Sequence, residues 1–394
     1  MTSSPAPDLI ALRRALHQIP EVGLQLPQTQ AMVLEALDGL PLEITLGTSV
    51  TSVVGVLRGG RPTTGKRPVV LLRGDMDALP VEELTGLEYA SANGAMHACG
   101  HDLHMSMLVG AAHALCARRN ELAGDVIFMF QPGEEGVDGA RFMLEEGLLD
   151  VAGSRPDWVY AIHVWAALDP HGVFSTKPGT VMASSDVAKV RVVGRGGHGS
   201  TPQLAADPVP ALAEITTALN TMVTRRFDVQ NPVVVTVGLL QAGTIANVIP
   251  EEGRLEATLR TFDTEVRSKL IGLIPEVVAG IASAHGVRGE FELLEQYPVT
   301  VNDAAEADVV ASAVTDLFGE ERHLRWKNPL AGAEDFSRLL QEAPGCFIGL
   351  SACPPELDPL TAPFNHSAYA RFDDAVVPDG ATLFTELTLR KLGA

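Results

Sequence analysis

The sequence predicts an α/β chain in which a β-α-β-β-α-β domain, ferredoxin-like in its order of elements, is inserted into a larger α/β layer domain. Three observations predict it. Near-continuous apolar runs alternate with helical periodicity through residues 50–164, as expected of a sheet covered by helices on both faces. From 187 to 296 the rhythm changes to strand, helix, strand, strand, helix, strand, the split βαβ order. After 297 the alternation of helix and apolar strand returns, so the second domain interrupts the first. A length of 394 residues also exceeds what one hydrophobic core serves comfortably, since domains usually run to roughly 100–200 residues. The expected domains are 1–186 with 297–394, and 187–296.

The elements follow in order. Leu9, Ile10, Leu12 and Leu16 on one side, with Arg13 and Arg14 on the other, predict an amphipathic helix over 7–18. Strands are expected at 50–57 (VTSVVGVL) and 68–75 (PVVLLRGD), separated by the turn-rich GGRPTTGK. A helix over 101–119, a strand at 125–132 (DVIFMFQP), a helix near 139–147 and a strand at 158–164 (WVYAIHV) come next. The inserted segment reads as strand VAKVRVVGR, helix 203–223, strands VVVTVGLLQ and RLEATLRTF, helix 264–284 and strand GEFELLE. Helices at 304–318 and 334–342, the strand CFIGLSA and a helix at 378–392 close the chain.

Composition excludes several classes of function. Apolar residues at 46% and charged residues at 20% are those of a folded globular chain. Lys and Arg number 29 against 49 Asp and Glu, a formal charge of −20 that repels phosphate backbones and anionic headgroups. Nucleic acid and membrane are therefore not expected partners. No window reaches 18 uninterrupted apolar residues, and MTSSPAPDLIALRRALHQIP lacks the basic-then-apolar order of a signal peptide. Cys99, Cys116, Cys346 and Cys353 show no framework spacing, which fits reduced thiols in the cytoplasm.

Chemistry concentrates in two segments. In MHACGHDLHM, Cys99 and His101 flank Gly100 just before a helix, a spacing that lets a thiolate and an imidazole reach one cation. In FQPGEEG, Glu134 and Glu135 follow an apolar strand, where paired carboxylates are costly unless a cation neutralises them. Adjacent side chains point differently, so one glutamate can bind metal while the other handles a proton. His163 lies near the end of WVYAIHV, and His366 lies in the loop PFNHSAYARF. Alone, the first two segments read equally well as a buried Cys with a capping His and as a solvated loop, and either His163 or His366 reads more readily as a structural histidine than as a ligand. Together, Cys99, His101, Glu135, His163 and His366 supply N, S and O donors that suit Zn, Mn, Co or Ni better than Mg or Ca. All five fall outside the inserted domain.

RRALHQIPEVG, RGDMDALPVEE, MHACGHDLHM, QPGEEG, IHVW, GRGGHGSTPQLAADPV, GTIANVIPEEG and GAEDF, in this order over nearly the whole chain, resemble the M20 metallopeptidase family. The closest likeness is to its amidohydrolase branch, with hippurate hydrolases, N-acyl-amino-acid amidohydrolases and auxin-conjugate hydrolases. The resemblance implies a zinc-exopeptidase-like α/β/α catalytic domain and a lid and dimerisation role for the inserted domain. It implies two divalent metal ions per subunit held by Cys99, His101, Glu135, His163 and His366, with Glu134 as general base. It further implies a homodimer or larger oligomer in which His198 polarises the scissile carbonyl of the partner's substrate. The same resemblance implies that Asn247 helps hold the substrate and that Asp77 orients the metal site. The reaction implied is hydrolysis of an N-acyl amino acid to a carboxylate and an amino acid. A dipeptidase or exopeptidase, or an N-carbamoyl hydrolase, would use the same residues.

Departures are Gly133 where the family usually has Ala in Pro-Ala-Glu-Glu, Ala368 where it often has Pro, and Gln25 and Leu26 in the early motif. A cysteine hydrolase using Cys99 as nucleophile fits less well, because the surplus of histidines and acids serves cation coordination. A nucleotide-binding loop at Gly60–Lys66 is excluded by Arg67 in place of Ser or Thr and by the strand that follows. A non-catalytic metal- or ligand-binding relative would be expected to lack Glu134 or a ligand, and every one is present.

Overall fold

The apolar runs around 53–58, 69–75, 125–131, 158–165 and 345–351 pair into one eight-stranded sheet in a computed structural model of the protein, which describes residues 7–393. Residues 1–6, the head of the stretch read for a signal peptide, lie outside the described residues. The sheet runs Leu42–Leu46, Val53–Arg58, Asp125–Gln131, Val69–Asp75, Trp158–Trp165, Gly345–Ser351, Phe174–Thr176, His323–Arg325. Its four central strands are parallel, whereas the first two pairings at one edge are antiparallel. Every residue of Val69–Asp75, Asp125–Gln131 and Gly345–Ser351 is buried, which is why these strands read as continuous apolar runs. Leu103, Met107, Leu108 and Leu115 of the helix His101–Ala117 share a core with Leu383, Phe384 and Leu387 of Val377–Leu392 and with Leu72, Phe128 and Ile162 of the sheet. At about 1.5–3 kcal/mol for each large apolar side chain buried, this packing fixes the helix that begins at His101. Among the described residues, no helix is long and apolar enough to cross a membrane.

The chain divides into two compact units: Met1–Val181 with Val301–Asn328 and Asp335–Ala394, and Met182–Thr300 with Pro329–Glu334. In the smaller unit a four-stranded antiparallel sheet runs Val233–Ala242, Glu252–Thr261, Ser185–Val193, Arg288–Tyr297. That order is the split βαβ arrangement. Helices Pro208–Arg226 and Thr264–Ala284 pack Leu212, Ile215, Leu219, Leu270 and Ile274 against Val190, Val192, Leu255 and Leu259. Burial alternates residue by residue along Glu252–Thr261, as expected where one face of a sheet is covered and the other is open. Pro329–Glu334 joins this unit because the Ala183 N–H lies against the carbonyls of Leu330 and Gly332.

Some elements differ from the sequence reading. The helix Pro27–Leu37 and the edge strand Leu42–Leu46 are additional; four of the five strand residues are exposed, so no apolar run marks it. The helix expected over 203–223 is Pro208–Arg226. It starts late because Asp207 accepts the Val209 N–H as its N-cap and Pro208 opens the first turn. The helix expected over 334–342 is Ser337–Glu342, since Asp335 is drawn into side-chain bonds with Arg73 and Gln131.

Candidate metal centre

Three of the central parallel strands deliver their carboxyl ends to one edge of the sheet, where open α/β sheets bind ligands. Gly100 turns the chain from Cys99 into the helix His101–Ala117 with φ of +82°. A Cβ there would sit 2.3 Å from Val164 Cγ2, so only glycine allows the turn and the close approach. His101 donates from Nδ1 to the Asp77 carbonyl at 2.8 Å, which leaves its Nε2 lone pair for another partner. The Asp77 carboxylate accepts the backbone N–H groups of Glu134 (2.9 Å) and Glu135 (3.0 Å) and pins the start of both glutamates. His163 Nε2 lies 3.4 Å from Cys99 Sγ. His366 stands in the left-handed region at φ +72°, its N–H bonded to the Ala98 carbonyl and its Nε2 3.2 Å from Glu135 Oε1. A non-glycine residue in that region costs about 1–3 kcal/mol, strain that the Ala98 bond helps to hold at the site.

The five expected ligands thus come together in two groups. Cys99, His101 and His163 form one, and Cys99, Glu135 and His366 form the other; within each group the donor atoms lie within 4.8 Å of one another. Cys99 belongs to both. Glu134 joins neither, and lies with His101 and Glu135 in a third group of the same spacing. His101 Nε2 is buried without a hydrogen-bond partner, a condition that costs about 1–3 kcal/mol and that a cation would relieve. The residues present therefore fit a divalent cation in each group.

The electrostatics agree. Burial lowers the His163 imidazole well below its usual range, as does neighbouring His104, so it offers a neutral lone pair. Burial also works against protonated His101, yet Asp75, Asp77 and Cys99 outweigh it and hold that imidazole well above the usual range. Cys99 and Glu135 push His366 up to about 10. Burial would raise Glu135, but His366 and His101 hold its carboxyl below the usual range. These partners attract positive charge, which protons supply in the metal-free protein. At neutral pH a cation entering beside His366 must displace a proton, so its affinity is expected to rise with pH toward about 10. Titration of the metal-free protein in weak buffer checks this through the protons released; affinity independent of pH between 7 and 9 would contradict it.

His198 and Asn247 lie in the smaller unit. The two-residue strand Gly197–His198 pairs with Val248–Ile249, and the Gly199 N–H bonds the Asn247 carbonyl at 2.8 Å, which brings both residues to one exposed ribbon. The Ser200 N–H donates to His198 Nδ1 at 3.1 Å, so the imidazole carries its hydrogen on Nε2. Sequence reading missed Asn365. Its side chain accepts the Ala166 N–H at 2.9 Å and donates to the Val164 carbonyl at 3.0 Å, tying the His366 loop to the strand of His163. An amide beside a candidate ligand in a turn-rich loop was the available signal. Asp75, an acid at the end of an apolar strand, was another.

Residues 71–390 match Peptidase family M20/M25/M40. The chain is 36% identical to thermostable carboxypeptidase 1 of Saccharolobus solfataricus over 387 residues, 97% of this chain and 95% of that one. It is 34% identical to hippurate hydrolase of Campylobacter jejuni, covering 97% of this chain and 96% of that one. A dinuclear metal binding peptidase of the M20 family from Bacillus subtilis, known from its crystal structure, shares the fold with a TM-score of 0.82 at 31% identity, over 98% and 97% of the two chains. With most of its length matched to the family and both relatives matched nearly end to end, the chain belongs to peptidase family M20/M25/M40 and is a metal-dependent amide hydrolase.

Proposed function

We propose that the enzyme hydrolyses N-acyl amino acids to a carboxylate and a free amino acid, with Glu134 as general base. The observation that carries this reading is the pair of three-donor groups sharing Cys99, with Glu134 beside them and outside both. Cys99, His101 and His163 would hold one divalent cation, and Cys99, Glu135 and His366 the other; the mixed S, N and O donors suit Zn, Mn, Co or Ni. Bound cations supply Lewis-acid polarisation and lower the pKa of water. Glu134 takes a proton from the attacking water as the new C–O bond forms, then returns it to the amide nitrogen as the C–N bond breaks. Asp77 keeps the Glu134 and Glu135 backbones in place through both transfers.

His198, with hydrogen on Nε2, is suited to donate to the oxyanion that develops on the carbonyl oxygen. We assign this role across a two-fold homodimer, with Asn247 beside it holding the substrate. Mixing Glu134→Ala with His198→Ala protein should then restore up to roughly a quarter of native activity, because about half of randomly paired dimers carry one intact composite site. No recovery after verified subunit exchange would place His198 in its own chain's site.

The relative named hippurate hydrolase supports an acyl amino acid substrate, and the one named carboxypeptidase supports a peptide as the second reading. Assay of N-acetyl, N-benzoyl and long-chain acyl amino acids beside dipeptides and N-carbamoyl amino acids, with each divalent metal, separates them. At least one N-acyl class is expected to exceed dipeptides and carbamoyl compounds in kcat/KM by about tenfold, roughly 1.4 kcal/mol of transition-state binding. Preference for dipeptides or carbamoyl compounds would overturn the assignment.

A further inference from the structure

MHACGHDLHM contains a histidine that the metal groups do not use. His104 lies one turn beyond His101 on the same helix, fully buried, with its ring 5.3 Å from that of His101 and 4.9 Å from that of His163. Its position beside Asp75 and His101 also satisfies the spacing of a metal group. Its bonds exclude that use. The Val164 N–H donates to His104 Nε2 at 2.8 Å, which forces the ring hydrogen onto Nδ1, and Nδ1 donates to Asp75 Oδ1 at 2.5 Å. Neither nitrogen keeps a lone pair for a cation.

What these bonds do is join the helix that starts at His101 to the backbone immediately after His163. Asp75 is itself held by Arg73, whose guanidinium reaches Gln131 Oε1 at 2.9 Å and Asp335 Oδ1 at 3.0 Å. The linkage is therefore anchored in a buried polar network rather than in one flexible side chain. We infer that His104 is a positioning residue that sets the spacing of His101 and His163, and through it the affinity of the Cys99–His101–His163 group alone. Glu135 and His366 of the second group are placed by bonds that His104 does not make: the Glu135 N–H to the Asp77 carboxylate and the His366 N–H to the Ala98 carbonyl. The inference rests on the two-cation reading above.

Side-chain length makes it testable. Glutamine places its carbonyl near the position of Nε2 and can still accept the Val164 N–H; asparagine reaches only the position of Nδ1. Phenylalanine keeps the ring volume without either nitrogen, and gives the same reading as asparagine if that variant does not fold. Metal-free protein is titrated with Co(II) against a competing chelator, and the equivalent that His163→Ala loses identifies the affected group. His104→Asn and His104→Phe should weaken that equivalent by about 10–100-fold, the usual effect of losing a residue that orients a ligand, and leave the other within about threefold. His104→Gln should stay within about threefold at both. A purely space-filling role would shift all variants alike in unfolding midpoint without singling out one equivalent. Equal loss at both equivalents, equal loss in Gln and Asn, or no loss in Asn and Phe overturns the inference alone. Native protein that binds fewer than two cations overturns the two-cation reading and this inference with it.

Discussion

Replacement of Glu134 by alanine is expected to lower turnover by at least the ~10²–10⁴-fold typical of lost acid–base catalysis while cation content stays near native. The separation of the two effects follows from the backbone. The Asp77 carboxylate holds the Glu134 and Glu135 N–H groups, not their side chains, so truncating Glu134 keeps both of these bonds, including the one that positions Glu135. Glu134 also belongs to neither group that shares Cys99. Glu135→Ala, by contrast, removes a donor that faces His366 at 3.2 Å and should lose metal together with activity. Metal analysis of the purified variants beside their turnover decides the matter. Equal metal loss in both would sink the division of labour between the two glutamates.

Cys99 carries the second large effect, because it is the donor common to both groups. Cys99→Ala should lose both cations, whereas His163→Ala and His366→Ala should each lose one. Cys99 is buried, with Sγ 3.4 Å from His163 Nε2, so a lost thiolate cannot be replaced by an exposed neighbour. Peroxide should likewise release metal by consuming the thiolate. If Cys99→Ala keeps full occupancy and activity, Cys99 is only a small buried residue.

The buried strands and the main helices were legible because their periodicity is dictated by which faces meet water. Val69–Asp75 and Asp125–Gln131 read as unbroken apolar runs since both faces are covered. Glu252–Thr261 alternates because only one face is covered. Thr264–Ala284 and Ala304–Phe318 carry Asp263 and Asp303 as N-caps, which fixes their starts sharply. Leu42–Leu46 was illegible for the opposite reason: an exposed edge strand needs no apolar face. At the site, residue types alone drew attention to Cys99, His101, Glu135, His163 and His366, and the fold brings them together. The roles of Asp75, His104 and Asn365 could not be read, because they consist of bonds to Arg73, Val164 and Ala166, partners set by tertiary packing rather than by spacing in the chain. His101 and His104 look alike in the sequence. Only the Val164 N–H distinguishes the one with a lone pair to spare from the one without.

The central claim is that this chain hydrolyses N-acyl amino acids through cations held by its own Cys, His and Glu side chains. Stepwise reconstitution tests it most directly. Metal-free protein is titrated anaerobically with a divalent cation, and hydrolysis of an N-acyl amino acid is measured at every step. The expected result is no turnover without metal and a rise to full activity as the second equivalent binds. Hydrolysis that persists in the metal-free protein, or full reconstitution with no N-acyl amino acid cleaved, would contradict the account.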